Sequence, residues 1–270
     1  MSAAAGDGGT RVVGPVEAVL RARRDGGGKC LVVYVTGGLG DDWLETARAV
    51  ADAGADAIEI GIPFSDPVMD GPTIQTANDL ALDGGATPVT ILDALRGADV
   101  GVPLAVMTYY NIAYRMGLER FASSLASAGV AGCILPDLPL EEAGPWLDVA
   151  AQVGVEPILL AAPTAPDERL PRICASTRGF VYGVGLLGVT GVRAELAASA
   201  VEIASRLKRI TDVPVLVGVG IGTPDQAVEA SRHGDGVVVG SAVVQRMVDR
   251  VGPEGVAGLV AEFRTALDAR

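Results

Sequence analysis

A glutamate stands in an otherwise apolar run, Ala57-Ile-Glu-Ile-Gly-Ile62, that follows Asp56. In an extended chain the side chains alternate between two faces, so Ile58, Ile60 and Ile62 share one and Ala57, Glu59 and Gly61 the other. The bulky face suits a covering layer of helices, which turns Glu59 toward the inside of a sheet. A buried carboxyl has two uses. It can be half of a structural ion pair, or its pKa can rise on desolvation until it exchanges protons near neutrality. None of the apolar runs that read as strands carries Lys or Arg, which favours proton transfer. The next segment, Pro63-Phe-Ser-Asp-Pro-Val-Met-Asp-Gly-Pro72, is a loop by its three prolines and glycine. Asp66 and Asp70 within it could cap turns or the helix starting near Thr73, or one could bring a second carboxylate opposite Glu59. Other polar residues in the apolar runs include Tyr34, Thr36, Thr108, Tyr109 and Tyr182.

Late in the chain come three glycine-rich turns: Gly188-Val-Thr-Gly191, Gly218-Val-Gly-Ile-Gly222 and Gly240-Ser241. Glycine allows close backbone approach, and a helix amino terminus favours an anion, so the three together suit a phosphate. Gly218-x-Gly220-x-Gly222 lacks the GxGxxG spacing and the amino-terminal βαβ context of a dinucleotide site.

These residues need a frame, and the sequence repeats one: an amphipathic helix, a glycine that ends it, then a short Val/Ile-rich run. It recurs at Gly54, Gly129, Gly154 and Gly234, where glycine suits the left-handed position that closes a helix. Strands are expected near 31–36, 56–62, 103–109, 131–135, 155–160, 179–184, 214–218 and 235–239, alternating with helices. That predicts a single α/β barrel of the (β/α)8 type, with the doubly wound open sheet as the alternative. Extra helices are expected over 15–24, in Ala86-Thr-Pro-Val-Thr-Ile-Leu-Asp-Ala-Leu95 before the third strand, and over 254–268. Residues 1–12 read as a flexible tail and 13–270 as one barrel domain.

Composition narrows the function. A net charge of -12 argues against a nucleic-acid binder, which needs clustered Lys and Arg. No apolar run approaches the roughly 20 residues of a membrane span, and the first dozen residues lack a signal core, so a cytoplasmic protein is expected. Cys30, Cys133 and Cys174 are far apart without CxxC spacing and read as buried thiols; no metal site is expected. The single histidine, His233, reads as a solvated or capping residue at a helix end, which disfavours Ser-His-Asp chemistry.

Taken in order, these motifs resemble the tryptophan synthase α subunit family from about residue 15 onward. The most specific stretch runs from Glu59 to Gln75, and Met107–Asn111, Leu135–Pro139, Phe180–Tyr182, Gly188–Gly191 and Val239–Ala242 are also similar. The resemblance implies a carbon–carbon lyase that cleaves indole-3-glycerol phosphate to indole and glyceraldehyde 3-phosphate in tryptophan biosynthesis. It assigns Glu59 and Asp70 as the catalytic carboxylates and Tyr182 as the tyrosine beside the glutamate. It places Tyr34, Ile74 and Tyr109 around the indole ring, Thr190 on a closing loop, and the phosphate at Gly191, Gly220, Gly240 and Ser241. Asp66, Pro67, Asn111 and Pro139 fall where the family meets a β subunit in an α2β2 heterotetramer. The α reaction needs no cofactor, and pyridoxal phosphate would belong to the β partner. This chain departs from the family pattern at Thr36-Gly-Gly-Leu-Gly40, at Ile112 and after Tyr182, where Gly-Val-Gly-Leu-Leu follows. A stand-alone lyase releasing indole, or a non-catalytic phosphate-binding barrel, are the competing expectations.

Overall fold

In the computed structural model, residues 12–185, 193–218 and 220–269 are described. They contain nine strands: β1 Cys30–Thr36, β2 Ala57–Gly61, β3 Leu104–Met107, β4 Val130–Ile134, β5 Glu156–Ile158, β6 Leu160–Ala161, β7 Val181–Gly183, β8 Val215–Val217 and β9 Gly236–Val239. All pairings are parallel, in the order β5-β4-β3-β2-β1-β9-β8-β7-β6. The two ends of that order are consecutive in the chain. β5 pairs with β4 and β6 with β7, and only Leu159 separates them, so what the sequence reads as one strand over 155–160 closes the ring in two short halves. The architecture is therefore the (β/α)8 barrel, and the open doubly wound sheet is excluded.

The three extra helices are present at Pro15–Asp25, Pro88–Leu95 and Gly252–Asp268. The second starts at Thr87, whose side chain accepts from the Thr90 amide in a reciprocal capping box. Of the four helix-closing glycines, Gly54, Gly129 and Gly154 have positive φ. Gly234 does not. It is required by proximity instead, because a Cβ there would stand 2.9 Å from the Val215 carbonyl. The helix before it ends at Ala230, which leaves His233 in the turn rather than in the helix. Cys30, Cys133 and Cys174 are free and buried. No described helix is long and apolar enough to cross a membrane.

Alternation divides the core in two. Leu31, Val33, Val35, Ile58, Ile60 and Ile62 face outward and pack with the helices. Val32, Ala57, Ala105, Ile134, Ile158, Leu216 and Val238 face inward, where Val16 and Leu20 of the first helix join them. That helix thus plugs the barrel at the amino-terminal ends of the strands. Its own exposed amides are met by a buried carboxylate from β5: Glu156 accepts from the Val16 and Glu17 amides at 2.8 and 2.9 Å. Two more carboxylates bind at the same end. Asp56 accepts from the Leu31 amide at 2.7 Å and faces Arg264, and Asp235 accepts from the Val215 amide and from Lys208. Every one of these carboxylates has donors, as burial of charge demands.

Glu156→Ala should therefore leave two buried amides without their acceptor and cost about 2 kcal/mol of stability in urea unfolding. A loss under about 0.5 kcal/mol would mean that the plug is not held by this carboxylate.

Candidate active site

The opposite end of the barrel is built differently. Glu59 lies on β2, 1% exposed, and neither of its carboxyl oxygens has a hydrogen-bond partner. Burial, followed by the field of Asp70, pushes its pKa up from 4.5 to about 8. At neutral pH the side chain is thus mostly a neutral acid, and its conjugate base is accessible. The contrast with Glu156, Asp56 and Asp235 removes the structural ion-pair reading of Glu59.

Two tyrosines complete this layer. Tyr34 on β1 is in register with Glu59, and Tyr182 on β7 with Leu160. Each ring lies over a glycine of a neighbouring strand: a Cβ at Gly61 would overlap the Tyr34 hydroxyl, and one at Gly218 the Tyr182 ring. The missing side chains make the room. Both phenols are pushed well above their usual pKa, first by burial and then by carboxylates: Asp70 before Glu59 for Tyr34, and Glu59 first for Tyr182. They remain protonated donors.

Asp70 reaches the site from the 63–71 loop that follows β2, and the loop is held by contacts within the chain. The Met69 amide donates to the Tyr109 hydroxyl at 2.9 Å, and Tyr109 stacks on Phe64 with ring centroids 5.0 Å apart. Tyr109 and Asn78 both hydrogen-bond the Asp70 carboxylate, Asn78 at 3.4 Å, and Gln75 donates to the Asp70 carbonyl. Burial raises the Asp70 pKa, and the hydrogen bonds from Tyr109 and Asn78 oppose that rise. Tyr109, expected beside the substrate ring, is here also an anchor of the loop. Asn78, which the sequence reading did not single out, is 2% exposed on the helix Pro72–Asp83. Its signal was an amide on the apolar stripe with Ala77 and Ala81, eight residues after Asp70.

The glycine turns divide. Gly240 is the N-cap of the helix Ser241–Val248, which follows β9, and Gly220, with φ 57°, lies in the loop after β8. Both sit where a barrel seats an anion. Gly218 instead serves the close approach of Tyr182, and the Gly222 amide is taken by Gln226 at 2.7 Å. Ile74 is partly buried on the helix after the Asp70 loop. Thr190 and Gly191 lie outside the described residues. Asp66, Asn111 and Pro139 are exposed and Pro67 half-buried, in the loops and helix start that follow β2, β3 and β4.

The family profile of the tryptophan synthase alpha chain matches residues 20–263. The chain belongs to the tryptophan synthase alpha chain family. The alpha chain of Streptomyces coelicolor is 44% identical over 257 residues, covering 90% of this chain and 93% of that one. The alpha chain of Gloeobacter violaceus is 46% identical over 256 residues, covering 92% and 90%. Among solved structures, a tryptophan synthase of Mycobacterium tuberculosis superposes with a TM-score of 0.88 at 35% identity, covering 96% of this chain and 100% of that one. The alpha chain of Legionella pneumophila superposes with a TM-score of 0.84 at 30% identity, covering 95% and 98%. Within the alpha chain family, then, this member carries an uncompensated Glu59 buried inside its barrel.

The electrostatics of Glu59 give a stability test. Its folded pKa of about 8 is above the ordinary 4.5, so the stability it allows is complete below about pH 4.5 and is lost as pH rises through about 8. Glu59→Gln cannot ionise. It should melt near the parent temperature at pH 5 and clearly above it at pH 9; the same difference at both pH values would contradict a buried, unpaired carboxyl.

Proposed function

We propose that this chain cleaves indole-3-glycerol phosphate to indole and glyceraldehyde 3-phosphate, with Glu59 and Asp70 as the working pair. The observation that carries the reading is the unpaired Glu59 carboxyl with Asp70 held near it, inside a member of the alpha chain family. The bond between indole C3 and the glycerol chain breaks only when C3 has taken a proton and the adjoining hydroxyl gives one up. Glu59, mostly protonated at neutral pH, delivers the first proton. The resulting carboxylate then accepts the hydroxyl proton as the C–C bonding pair returns to the ring and the C–O bond becomes a carbonyl. The proton count closes, and Glu59 ends as it began. Asp70, the more ionised of the two, faces the indole N–H and balances the charge that the ring nitrogen gains when C3 is protonated. Tyr182 lies beside Glu59, and Ile74 and Tyr109 border the ring. Gly220, Gly240 and Ser241, with Thr190 and Gly191, hold the phosphate through backbone amides and a helix terminus. None of these steps calls for a cofactor.

Asp66, Pro67, Asn111 and Pro139 form the docking face for a β subunit, which would carry its own pyridoxal phosphate in an α2β2 assembly. Two features support a partner on this face. Val68, beside Pro67, is 79% exposed, and Tyr114, on the helix that carries Asn111, is 68% exposed. Beside Pro139 a groove of about 330 Å³ runs between the loops after β4 and β6, bordered by Leu138, Leu140, Leu160 and Ile173. We assign residues 13–270 to one catalytic domain and place the reaction in the cytoplasm.

Indole release from indole-3-glycerol phosphate, measured with and without a β subunit, tests this reading. The wild-type chain should be active, and a β subunit should raise kcat. A chain inactive in both conditions refutes the lyase, whereas full activity with no response to β makes it a stand-alone enzyme. Glu59→Gln should lower kcat by at least about a hundredfold, roughly 2.7 kcal/mol, with KM within about threefold. Retention of a tenth of kcat would remove Glu59 from the chemistry. Gly240→Asp should act oppositely, raising KM sharply through repulsion of the phosphate while the fold survives; an unchanged KM would displace the anion site from this helix.

A further inference from the structure

Tyr34 has a property that lining an aromatic pocket does not use. Its side chain is 92% buried, the complement of its 8% exposure, yet its hydroxyl points into the barrel at the position a residue-61 side chain would fill. Thr36 pairs with Gly61, so the hydroxyl has climbed one layer from Glu59 toward the mouth. Thr36 Oγ1 lies beside the Tyr34 hydroxyl at hydrogen-bonding reach, and the two Glu59 oxygens are unpartnered. Two carboxyl oxygens are thus left open in a buried setting beside the phenol, where unmet polar groups are costly unless something else meets them. Asp70 and Glu59 are both close enough to act on the Tyr34 phenol, whereas the carboxylate felt first by Tyr182 is Glu59. No cation acts on Glu59, Tyr34 or Tyr182 among the described residues.

We propose that the Tyr34 hydroxyl is a third catalytic group, a fixed hydrogen-bond donor to the substrate oxygen that becomes the aldehyde carbonyl. The inference rests on the lyase reading given above. As Glu59 removes the hydroxyl proton, negative charge grows on that oxygen before the C–C bond has fully broken. Two carboxylates cannot stabilise it. A donor that stays protonated throughout can, and it transfers no proton, so the proton balance of the reaction is unchanged. Gly61 belongs to the same device, because any larger residue would expel the hydroxyl from its place.

Tyr34→Phe keeps the ring and removes only the donor. Three measurements decide: kcat and KM for indole-3-glycerol phosphate, the melting temperature, and Kd for an analogue with hydrogen in place of the hydroxyl on the reacting carbon. We expect kcat to fall by about tenfold or more, with the melting temperature and the analogue's Kd unchanged, since that analogue has no oxygen for Tyr34 to meet. A kcat within twofold of wild type overturns the proposal. So does a fall in kcat matched by an equal loss of analogue affinity, which would make Tyr34 a packing residue. Wild-type chain assayed alongside separates the two readings: if it releases no indole, the lyase assignment fails, and if it does, only the Tyr34 role is at stake.

Discussion

The structure depends on one desolvated carboxyl. Glu59 is enclosed in the barrel with neither oxygen bonded, and a group in that state is tolerable only while it holds its proton. Everything placed around it keeps it so. The inward neighbours are aliphatic residues, glycines and phenols, and the charge that acts on it is another carboxylate, which raises the pKa further. An ordinary buried glutamate would have been given an amide or an arginine, and this barrel does so for three carboxylates at its other end.

That division between the two ends separates stability from chemistry. At the amino-terminal ends of the strands, Glu156, Asp56 and Asp235 are consumed by backbone amides and cations, and they tie the first helix, β1 and β8 into place. At the carboxyl ends the polar groups are left open. The plug helix and its capped amides close the amino-terminal end, while the unmet groups are held at the other.

The second carboxylate shows how a loop acquires comparable precision. Asp70 belongs to a segment rich in proline, yet the Tyr109 hydroxyl, Asn78 and Gln75 restrain it from two separate elements. Tyr109 accepts from the loop backbone and donates to the Asp70 side chain, so one phenol sets both the path of the loop and the aim of its acid.

Much of this could be read from the residues in order. Period-two alternation put Glu59 on the inner face because it depends only on strand geometry, and the absence of Lys and Arg from the strands already implied an unpaired carboxyl. The helix–glycine–strand repeat gave the barrel and its three added helices, since capping and periodicity are local. What needed the tertiary structure were contacts between distant residues. The sequence showed one strand over 155–160; the split at Leu159 appears only because β4 and β7 claim its two halves with different registers. It gave Gly234 a helix-closing conformation, while proximity to Val215 was the actual requirement. It placed Tyr34 and Tyr109 around a ring, but not one hydroxyl over Gly61, nor the other holding the Asp70 loop. It passed over Asn78, because one amide on a helix is significant only when an acid eight residues earlier folds back onto it. Local geometry determines which face a side chain takes; which partner it meets there, or whether it meets none, is decided by packing across the whole chain.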